Sequence, residues 1–396
     1  MLKSTVAAGT LHSPWSRREG GYRRPAWAGV DEAAHASRRQ RNFSTNPSTR
    51  KPACLFSLQV GCCPALVLRM FVAYHLDRNC MSFTLILFDP DAAKHDPGPQ
   101  HPESPWRWGS LGPALRVLPP GIELRIPTRL VRAEDLFLVH SWGYVARVLE
   151  LRGKSGALDH ETVLSAGSVD VALGAVGAAI EAVDEVISGK ARNAFALVRP
   201  PGHHAARDRS GGYCIFNNAA IACAFALARG MRRVLVVDID AHRGDGTQEI
   251  FATRNDVLVA SIHQTGLFPA EPDPAGVSEH INFALPPGSD DRAFIEALDE
   301  ALCRADGFEP EFIVVSAGFD GHEDDPMSDL VITTNGYAQA VARIREFAEE
   351  HCHGRLVLIL EGGYDGAALA ACVAASISVL TAKTANDDVQ PPEGER

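Results

Sequence analysis

The chain has 396 residues, of which 46% are hydrophobic and 22% are charged. This composition excludes a wholly disordered chain and a fibrous repeat, and the length is sufficient for one large α/β domain with a substantial core. The formal net charge of -11 argues against a broad nucleic-acid-binding surface, so we expect no direct binding of nucleic acid.

Residues 1–80 differ in composition from the rest of the chain. They carry 12 Lys/Arg and 4 Asp/Glu, whereas residues 81–396 carry 26 and 45. The first segment shows no strand or helix period, and three interpretations stay open: an organellar transit peptide, a spurious extension upstream of Met81, or a disordered tail with a binding role. We predict a catalytic domain over 81–385 and a polar C-terminal tail over 386–396.

The apolar segment 54–76 raises the question of a membrane span. Polar residues, a glycine and a proline interrupt it, so the run of about 20 apolar residues that a spanning helix needs is missing. The nine cysteines form no repeated CxxC pair and favour reduced thiols in an intracellular protein. We therefore expect a cytoplasmic protein without membrane contact, or a mitochondrial or plastid one if residues 1–80 are a transit peptide. The oligomeric state stays open.

From residue 81 onward, short apolar runs alternate with longer helical patterns. The runs are rich in Val, Ile and Leu, which suits strands buried on both faces of a parallel sheet. The predicted strands are residues 83–88, 194–198, 233–238, 257–262, 312–316 and 356–360. The predicted helices are residues 168–188, 217–229, 291–305, 335–350 and 366–380. This order predicts a layered α/β domain whose ligands bind beyond the carboxyl ends of the strands.

Candidate metal ligands follow two of these strands. Asp240 and His242 lie two residues apart at the end of one strand, so their side chains point the same way, and Asp320 follows another strand. Three protein ligands that leave a position open to water are the pattern of a catalytic zinc site, whereas a structural site uses four. The competing interpretation is that these residues form solvated loop ends.

Further candidates for acid–base chemistry follow the neighbouring strands. His203 and His204 come after a rigid Pro-Pro-Gly turn, and a neutral imidazole is a natural general base near neutral pH. Asp238 and Asp245 are suited to orient one imidazole each. Tyr364, after two glycines, suits a hydrogen-bond donor to an oxyanion. A surface histidine pair and a rim tyrosine are the competing interpretations.

The segments RPPGHHA, GGYCIFNN, VDIDAHRGDGTQ, SAGFDGHEDDP and LEGGY, in this order, resemble the zinc-dependent histone deacetylase superfamily. This superfamily includes acetylpolyamine amidohydrolases, and the SAGFD and LEGGY segments look more like class II and bacterial members. The resemblance spans about residues 84–380. It implies the arginase/deacetylase α/β fold, with an eight-stranded parallel sheet sandwiched between helices.

The resemblance also implies an activity. It implies hydrolysis of an acetamide to a free amine and acetate, with an acetylated lysine side chain or an acetylated polyamine as the substrate. The net negative charge of residues 81–396 suits polyamines and basic protein tails equally. Charge therefore does not distinguish between an acetylated polyamine and an acetylated protein as the substrate. The alternative from another class is a catalytically silent acyl-lysine-binding scaffold.

Residue roles follow from the same resemblance. It implies that one Zn²⁺ is bound by Asp240, His242 and Asp320, and that His203 and His204 are the tandem catalytic histidines, with Asp238 and Asp245 beside them. It implies a structural K⁺ near the zinc, held by oxygen atoms of Asp238, Asp240, His242, Ser261 and Ile262, several of them from the backbone.

Substrate contacts are implied as well. Tyr364 would polarise the acetyl carbonyl, the carbonyl of Gly212 would receive the substrate amide, and Tyr213 and Phe268 would flank the acyl channel. The residues alone already make these two aromatics candidates for the walls of an apolar channel, with core aromatics as the alternative.

The chain departs from the family pattern at two positions. Met327 stands where class II enzymes often have Leu, and we include it among the substrate contacts. Arg243 follows the metal-binding His242, where the family often has a second histidine. A guanidinium at that position either lowers metal affinity or pairs with a carboxylate.

Overall fold

The structure, a computed structural model, describes residues 83–269 and 280–382. The strands are β1 (Thr84–Phe88), β2 (Ile122–Arg125), β3 (Gly156–Ala157), β4 (Val163–Leu164), β5 (Asn193–Leu197), β6 (Val234–Asp238), β7 (Val257–Gln264), β8 (Ile281–Leu285), β9 (Phe312–Ala317) and β10 (Leu356–Leu360). The helices are α1 (Pro105–Gly109), α2 (Leu111–Ala114), α3 (Ala133–Leu136), α4 (Trp142–Glu150), α5 (Ser168–Ile187), α6 (Asn218–Ala228), α7 (Asp245–Phe251), α8 (Asp291–Asp306), α9 (Thr334–His351) and α10 (Gly366–Thr381), with a 3₁₀ helix at Pro90–Lys94.

Eight of the described strands form one sheet, in the order β2-β1-β5-β10-β9-β6-β7-β8. Every neighbouring pair is parallel. Alternate residues of a strand point to opposite faces, so Leu235 and Val237 of β6 enter one hydrophobic core while Val234 and Val236 enter the other. The sheet is therefore sandwiched between two layers of helices, which confirms the predicted fold.

Two helix N-caps fix segments that carry candidate site residues. Asn217 accepts a hydrogen bond from the backbone N–H of Ala220, at 2.8 Å, and starts α6 directly after the GGYCIF segment. Asp365 accepts from the N–H groups of Ala367 and Ala368 and starts α10 directly after Tyr364. Each cap satisfies backbone N–H donors that the first helical turn leaves unpaired. The caps therefore fix the positions at which the two segments end and the helices begin.

All six predicted strands are present, with ends that differ by at most two residues. The prediction missed β2 and β8, which are the two edge strands of the sheet. Edge strands are partly exposed, and both carry polar residues among the apolar ones, so the continuous apolar run that marks the inner strands is absent from them.

Several predictions concern parts of the chain beyond the described residues. The domain boundaries after residues 80 and 385 and the apolar segment 54–76 lie outside the described ranges, so they stay predictions. Among the helices of residues 83–269 and 280–382, none combines the length and apolarity needed to cross a membrane.

Candidate active site

A pocket of about 100 Å³ opens where the inner strands end at their carboxyl termini. Its lining consists of Glu161, Pro201, His203, His204, Gly212, Tyr213, Asp240, His242, Phe268, Asp320, Met327 and Tyr364. Ten of these twelve residues are sequence-predicted site residues. The predicted residues that are not among the lining residues are Asp238, Asp245, Ser261 and Ile262.

Asp240, His242 and Asp320 form a cluster at the base of this pocket. Strands β6 and β9 are paired, so the segments that follow them lie side by side. One ligand atom from each of the three side chains lies within 4.8 Å of the other two. His242 Nδ1 is 2.8 Å from Asp320 Oδ2 and 3.1 Å from Asp240 Oδ1. The structure therefore brings the three predicted metal ligands together, and metal binding by them stays a prediction.

Backbone groups orient both carboxylates of this cluster. The N–H of Ala241 donates to Asp320 Oδ1 at 2.7 Å, and the N–H of Gly362 donates to Asp240 Oδ2 at 2.9 Å. A Cβ atom at Gly362 would lie 2.5 Å from each carboxylate. Only glycine lets the backbone come this close to the two carboxylates, which explains why position 362 in the LEGGY segment is a glycine.

The charges of this cluster suit a bound divalent cation. The side chains of Asp240 and Asp320 are 1% exposed, and Asp238 is buried beside them. Burial and the charge of Asp240 raise the pKa of Asp320. Although burial alone lowers it, the charges of Asp320 and Asp240 raise the pKa of His242 to about 10. Carboxylate oxygens and an imidazole nitrogen are zinc ligands, and a cation among them would offset the repulsion of the buried carboxylates.

Each tandem histidine has its own aspartate. His203 Nδ1 lies 2.9 Å from Asp238 Oδ2, and His204 Nδ1 lies 2.7 Å from Asp245 Oδ1. Burial and the charge of His203 lower the pKa of His204 to about 4. Although burial alone lowers it, the charges of Asp240 and Asp238 raise the pKa of His203 well above its ordinary value. These directions favour a neutral His204 and a protonated His203.

Tyr364 also lines the pocket and is 5% exposed. Its backbone N–H and that of Asp365 both donate to the Asp325 carboxylate, which fixes the turn after β10. Burial raises the pKa of Tyr364 well above its ordinary value, so the phenol keeps its proton at neutral pH. Its ring meets the ring of Tyr213 edge-on, with centroids 5.9 Å apart.

The entrance of the pocket has aromatic walls. The Phe268 ring contacts His204 at a centroid distance of 4.9 Å, and the Tyr213 ring contacts His101 at 4.7 Å. Gly212 has φ +50°, and a Cβ there would lie 2.2 Å from His204 Cδ2. Any larger residue at position 212 would displace the imidazole, so this glycine lets the pocket wall approach His204.

Sequence reasoning missed a buried ionic cluster that supports Tyr364. Glu103 contacts the guanidinium groups of Arg107 and Arg199 at 2.8 Å each, and all three side chains are fully buried. Arg107 also donates to the carbonyl of Gly363 and lies 5.1 Å above the Tyr364 ring. Glu103 and Arg107 are four positions apart, but Arg199, Gly363 and Tyr364 are remote from them in sequence, so no local spacing signals the cluster.

Arg243 follows His242 in the chain and is buried, and its Nη1 donates to Gln248 Oε1 at 3.1 Å. Gln248 also donates to Asn282 Oδ1 at 2.8 Å. The guanidinium is therefore held within a polar network that joins α7 to β8.

The buried residue His140 braces the segments around the tandem histidines. Its Nδ1 lies 2.9 Å from the Ala206 carbonyl, and its Nε2 accepts from the Asn217 N–H at 3.0 Å. Only the neutral ring with a proton on Nδ1 satisfies both contacts. Burial lowers the pKa of His140 to about 4.

His140 should therefore weaken the fold in acid. Between pH 6.5 and 4 the unfolded chain protonates this ring and the folded chain does not, so its stabilisation is present above about pH 6.5 and is lost as the pH falls. Between pH 4 and 6.5 we expect the unfolding free energy of His140→Gln to depend less on pH than that of wild type. The difference in slope should be up to about 1.4 kcal/mol per pH unit. Denaturant titrations at several pH values measure this slope, with the exposed His160→Gln as control. Equal slopes for wild type and His140→Gln would refute the assignment.

Residues 101–380 match the histone deacetylase domain family, and the chain therefore belongs to this family. Its eight-stranded parallel sheet flanked by helices is the arginase/deacetylase fold. Membership in this family, together with the amidohydrolase relative described next, supports a hydrolase with deacetylase or amidohydrolase activity.

Particular relatives agree with this assignment. The chain is 40% identical over 293 residues to a probable deacetylase of Archaeoglobus fulgidus, covering 71% of this chain and 81% of the relative. It is 37% identical over 296 residues to a histone deacetylase-like amidohydrolase of Pseudomonas aeruginosa, covering 71% and 77%. The crystal structure of the HDA15 HD domain superposes with a TM-score of 0.69 at 30% identity, covering 76% of this chain and 91% of that one.

Proposed function

We propose that this protein is a zinc-dependent deacetylase that hydrolyses an acetamide to a free amine and acetate. The observation that carries the proposal is the convergence of three groups on one pocket: the Asp240–His242–Asp320 cluster, the His204–Asp245 pair and the Tyr364 phenol.

The metal is assigned to the cluster at the base of the pocket. Asp240, His242 and Asp320 would hold Zn²⁺, because the donor types fit and the backbone fixes the carboxylates. When bound, zinc polarises the acetyl carbonyl and lowers the pKa of a coordinated water toward ~7.

His204 handles the proton in this mechanism. Its Nδ1 bonds Asp245, so the proton-free nitrogen is Nε2, and the neutral ring accepts a proton from the attacking water. The same proton is then delivered to the leaving amine nitrogen as the C–N bond breaks. His203 is hydrogen-bonded to Asp238, and its ring lies 4.0 Å from that of His204, where it helps to stabilise the negative charge that develops.

Tyr364 and the channel residues bind the substrate. The phenol of Tyr364 donates a hydrogen bond to the carbonyl oxygen as it becomes an oxyanion. The Gly212 carbonyl accepts the substrate amide N–H, and the rings of Tyr213 and Phe268, with Met327, exclude water from the acyl chain.

A Tyr364→Phe variant tests this division of roles. Loss of one oxyanion donor should lower kcat about 10²–10³-fold, because the ring stays in place and only the hydrogen bond is lost. Zinc content should be unchanged, and a hydroxamate inhibitor should still bind, though more weakly. Near-wild-type turnover by zinc-loaded Tyr364→Phe would show that another group polarises the carbonyl.

The identity of the amine needs its own experiment. Glu161 is among the lining residues, and a negative charge at this position would favour an acetylated polyamine, whose leaving portion carries further positive charge. Ranking acetyl-lysine peptides, acetylated polyamines and longer acyl-lysines by kcat/KM separates the two substrate classes. If a polyamine is preferred, Glu161→Gln should remove that preference; a silent scaffold would turn over none of them.

A structural K⁺ is also part of the proposal. Asp238 and Ser261 are directly opposite each other on β6 and β7, and Ile262 follows Ser261 in the same buried strand. Oxygen atoms of these residues, with backbone oxygens of Asp240 and His242, are suitable ligands for this ion.

A further inference from the structure

We propose that Arg209 is a positioning residue that holds the Asp245 carboxylate and, through it, the catalytic orientation of the His204 imidazole. This inference rests on the proposed function, in which His204 transfers the proton. Arg209 lies in the segment between the tandem histidines and the GGYCIFNN segment, outside every group of residues assigned above.

The backbone brings Arg209 back toward the histidines. The N–H of Ala206 donates to the Arg209 carbonyl at 2.9 Å, which closes a turn directly after His204. Helix α7 packs against the same segment, since the N–H of Thr247 donates to the His203 carbonyl at 3.0 Å. A Cβ at Gly246 would lie 2.5 Å from the His204 carbonyl carbon, so α7 and the histidines are in direct backbone contact. The Arg209 side chain bridges these two segments.

The contacts of Arg209 complete those of the Asp245 carboxylate. Asp245 Oδ1 faces His204 Nδ1 at 2.7 Å, and Asp245 Oδ2 accepts from Arg209 Nη2 at 2.9 Å. The same Nη2 donates to Glu249 Oε2 at 2.8 Å, and Nη1 lies 3.5 Å from the His204 carbonyl oxygen. Rotation of the carboxylate would break one of its two hydrogen bonds, so Arg209 and His204 together fix its plane.

A comparison with the His203–Asp238 pair shows why Asp245 needs a second hydrogen-bond partner. Asp238, the partner of His203, is fully buried, and its second oxygen accepts from the backbone N–H of Asp240 at 3.1 Å. The Asp245 side chain is 12% exposed, and its second oxygen faces the partly exposed Arg209 instead. The second carboxylate oxygen is thus held by a guanidinium at Asp245 and by a backbone N–H at Asp238. Without it, water reaches this carboxylate and competes for the His204 hydrogen bond.

A double-mutant cycle separates positioning from general stability. Arg209→Met should lower kcat roughly 10-fold, in the range for residues that orient a catalytic group, and leave KM within about twofold. In an Asp245→Asn background the same change should have no further effect on kcat, because Arg209 acts only through that carboxylate. Arg209→Lys, which keeps a cation within reach of Asp245, should recover most of the activity. Arg147→Met, an exposed arginine that contacts the Asp208 carbonyl of the same turn, serves as the control and should match wild type.

A second measurement does not depend on turnover. The hydrogen-bonded Nδ1 proton of His204 should give a downfield ¹H resonance, assigned by its loss in His204→Ala. We expect it in wild type and in Arg147→Met, and expect it to be lost or exchange-broadened in Arg209→Met. Independent, additive losses of kcat in the cycle, or an unchanged resonance in Arg209→Met, would overturn the inference. Absence of turnover by wild type would instead refute the proposed function, and the resonance would still decide the role of Arg209.

Discussion

Asp320→Ala is expected to lose its bound zinc and to lower kcat/KM on the order of 10⁴-fold, the scale on which loss of a central catalytic group acts. The carboxylate is one of three proposed ligands, and its Oδ2 lies 2.8 Å from His242 Nδ1. Removing this carboxylate leaves two proposed ligands. It also removes the hydrogen bond that the Ala241 N–H donates to Oδ1. Elemental analysis of the purified variant, alongside turnover, measures both effects.

Two further variants make this result interpretable. Asp320→Asn keeps the side-chain shape and an oxygen for the Ala241 N–H, so its melting temperature should stay near that of wild type while zinc is still lost. Asp324→Ala removes a carboxylate that is 72% exposed in the same loop and should retain both zinc and activity. Full zinc occupancy in Asp320→Ala would contradict the proposed ligand set.

His204→Ala should lower kcat about 10²–10⁴-fold and leave zinc content unchanged. The imidazole is proposed to accept the proton of the attacking water and return it to the leaving amine, so its loss removes both transfers. His204 is also neutral at physiological pH, since burial and the charge of His203 lower its pKa to about 4. Activity should therefore persist well below pH 6.5 wherever the fold survives.

The control for this variant separates proton transfer from metal binding. Zinc content and binding of a hydroxamate inhibitor report the metal-ligand cluster, and both should survive in His204→Ala. The exposed His160→Gln should behave as wild type in every assay. Near-wild-type turnover by zinc-loaded His204→Ala would show that a different base, with His203 as the nearest alternative, activates the water.

The inner strands were predictable because burial on both faces imposes a continuous apolar run. Strands β6, β9 and β10 are completely buried, and most of their residues are Val, Ile and Leu. Their ends were also informative, because parallel strands deliver the following residues to one edge of the sheet. Asp240 and Asp320 could thus be predicted to be neighbours although they are 80 positions apart.

The residues that sequence reasoning missed act through long-range contacts. Glu103 contacts Arg199 across 96 positions of sequence, and Arg209 meets Asp245 only because a tight turn follows the tandem histidines. Arginine and glutamate are usually exposed, so nothing in composition or spacing marks these side chains as buried or paired. Only the three-dimensional structure identified these arginine and glutamate contacts. Asp and His residues directly after buried strands, in contrast, are uncommon enough to be noticed in the sequence as candidate metal ligands.

The central claim is that the Asp240–His242–Asp320 cluster holds a zinc ion on which acetamide hydrolysis depends. The most direct test measures acetate released from an acetyl-lysine peptide and from an acetylated polyamine by the full chain, before chelation, after chelation, and after return of one equivalent of Zn²⁺. We predict acetate and free amine in equal amounts from at least one substrate, loss of turnover in the chelated protein, and recovery with zinc. Undiminished turnover by fully metal-free protein, or no acetate from either substrate by zinc-loaded protein, would contradict this account.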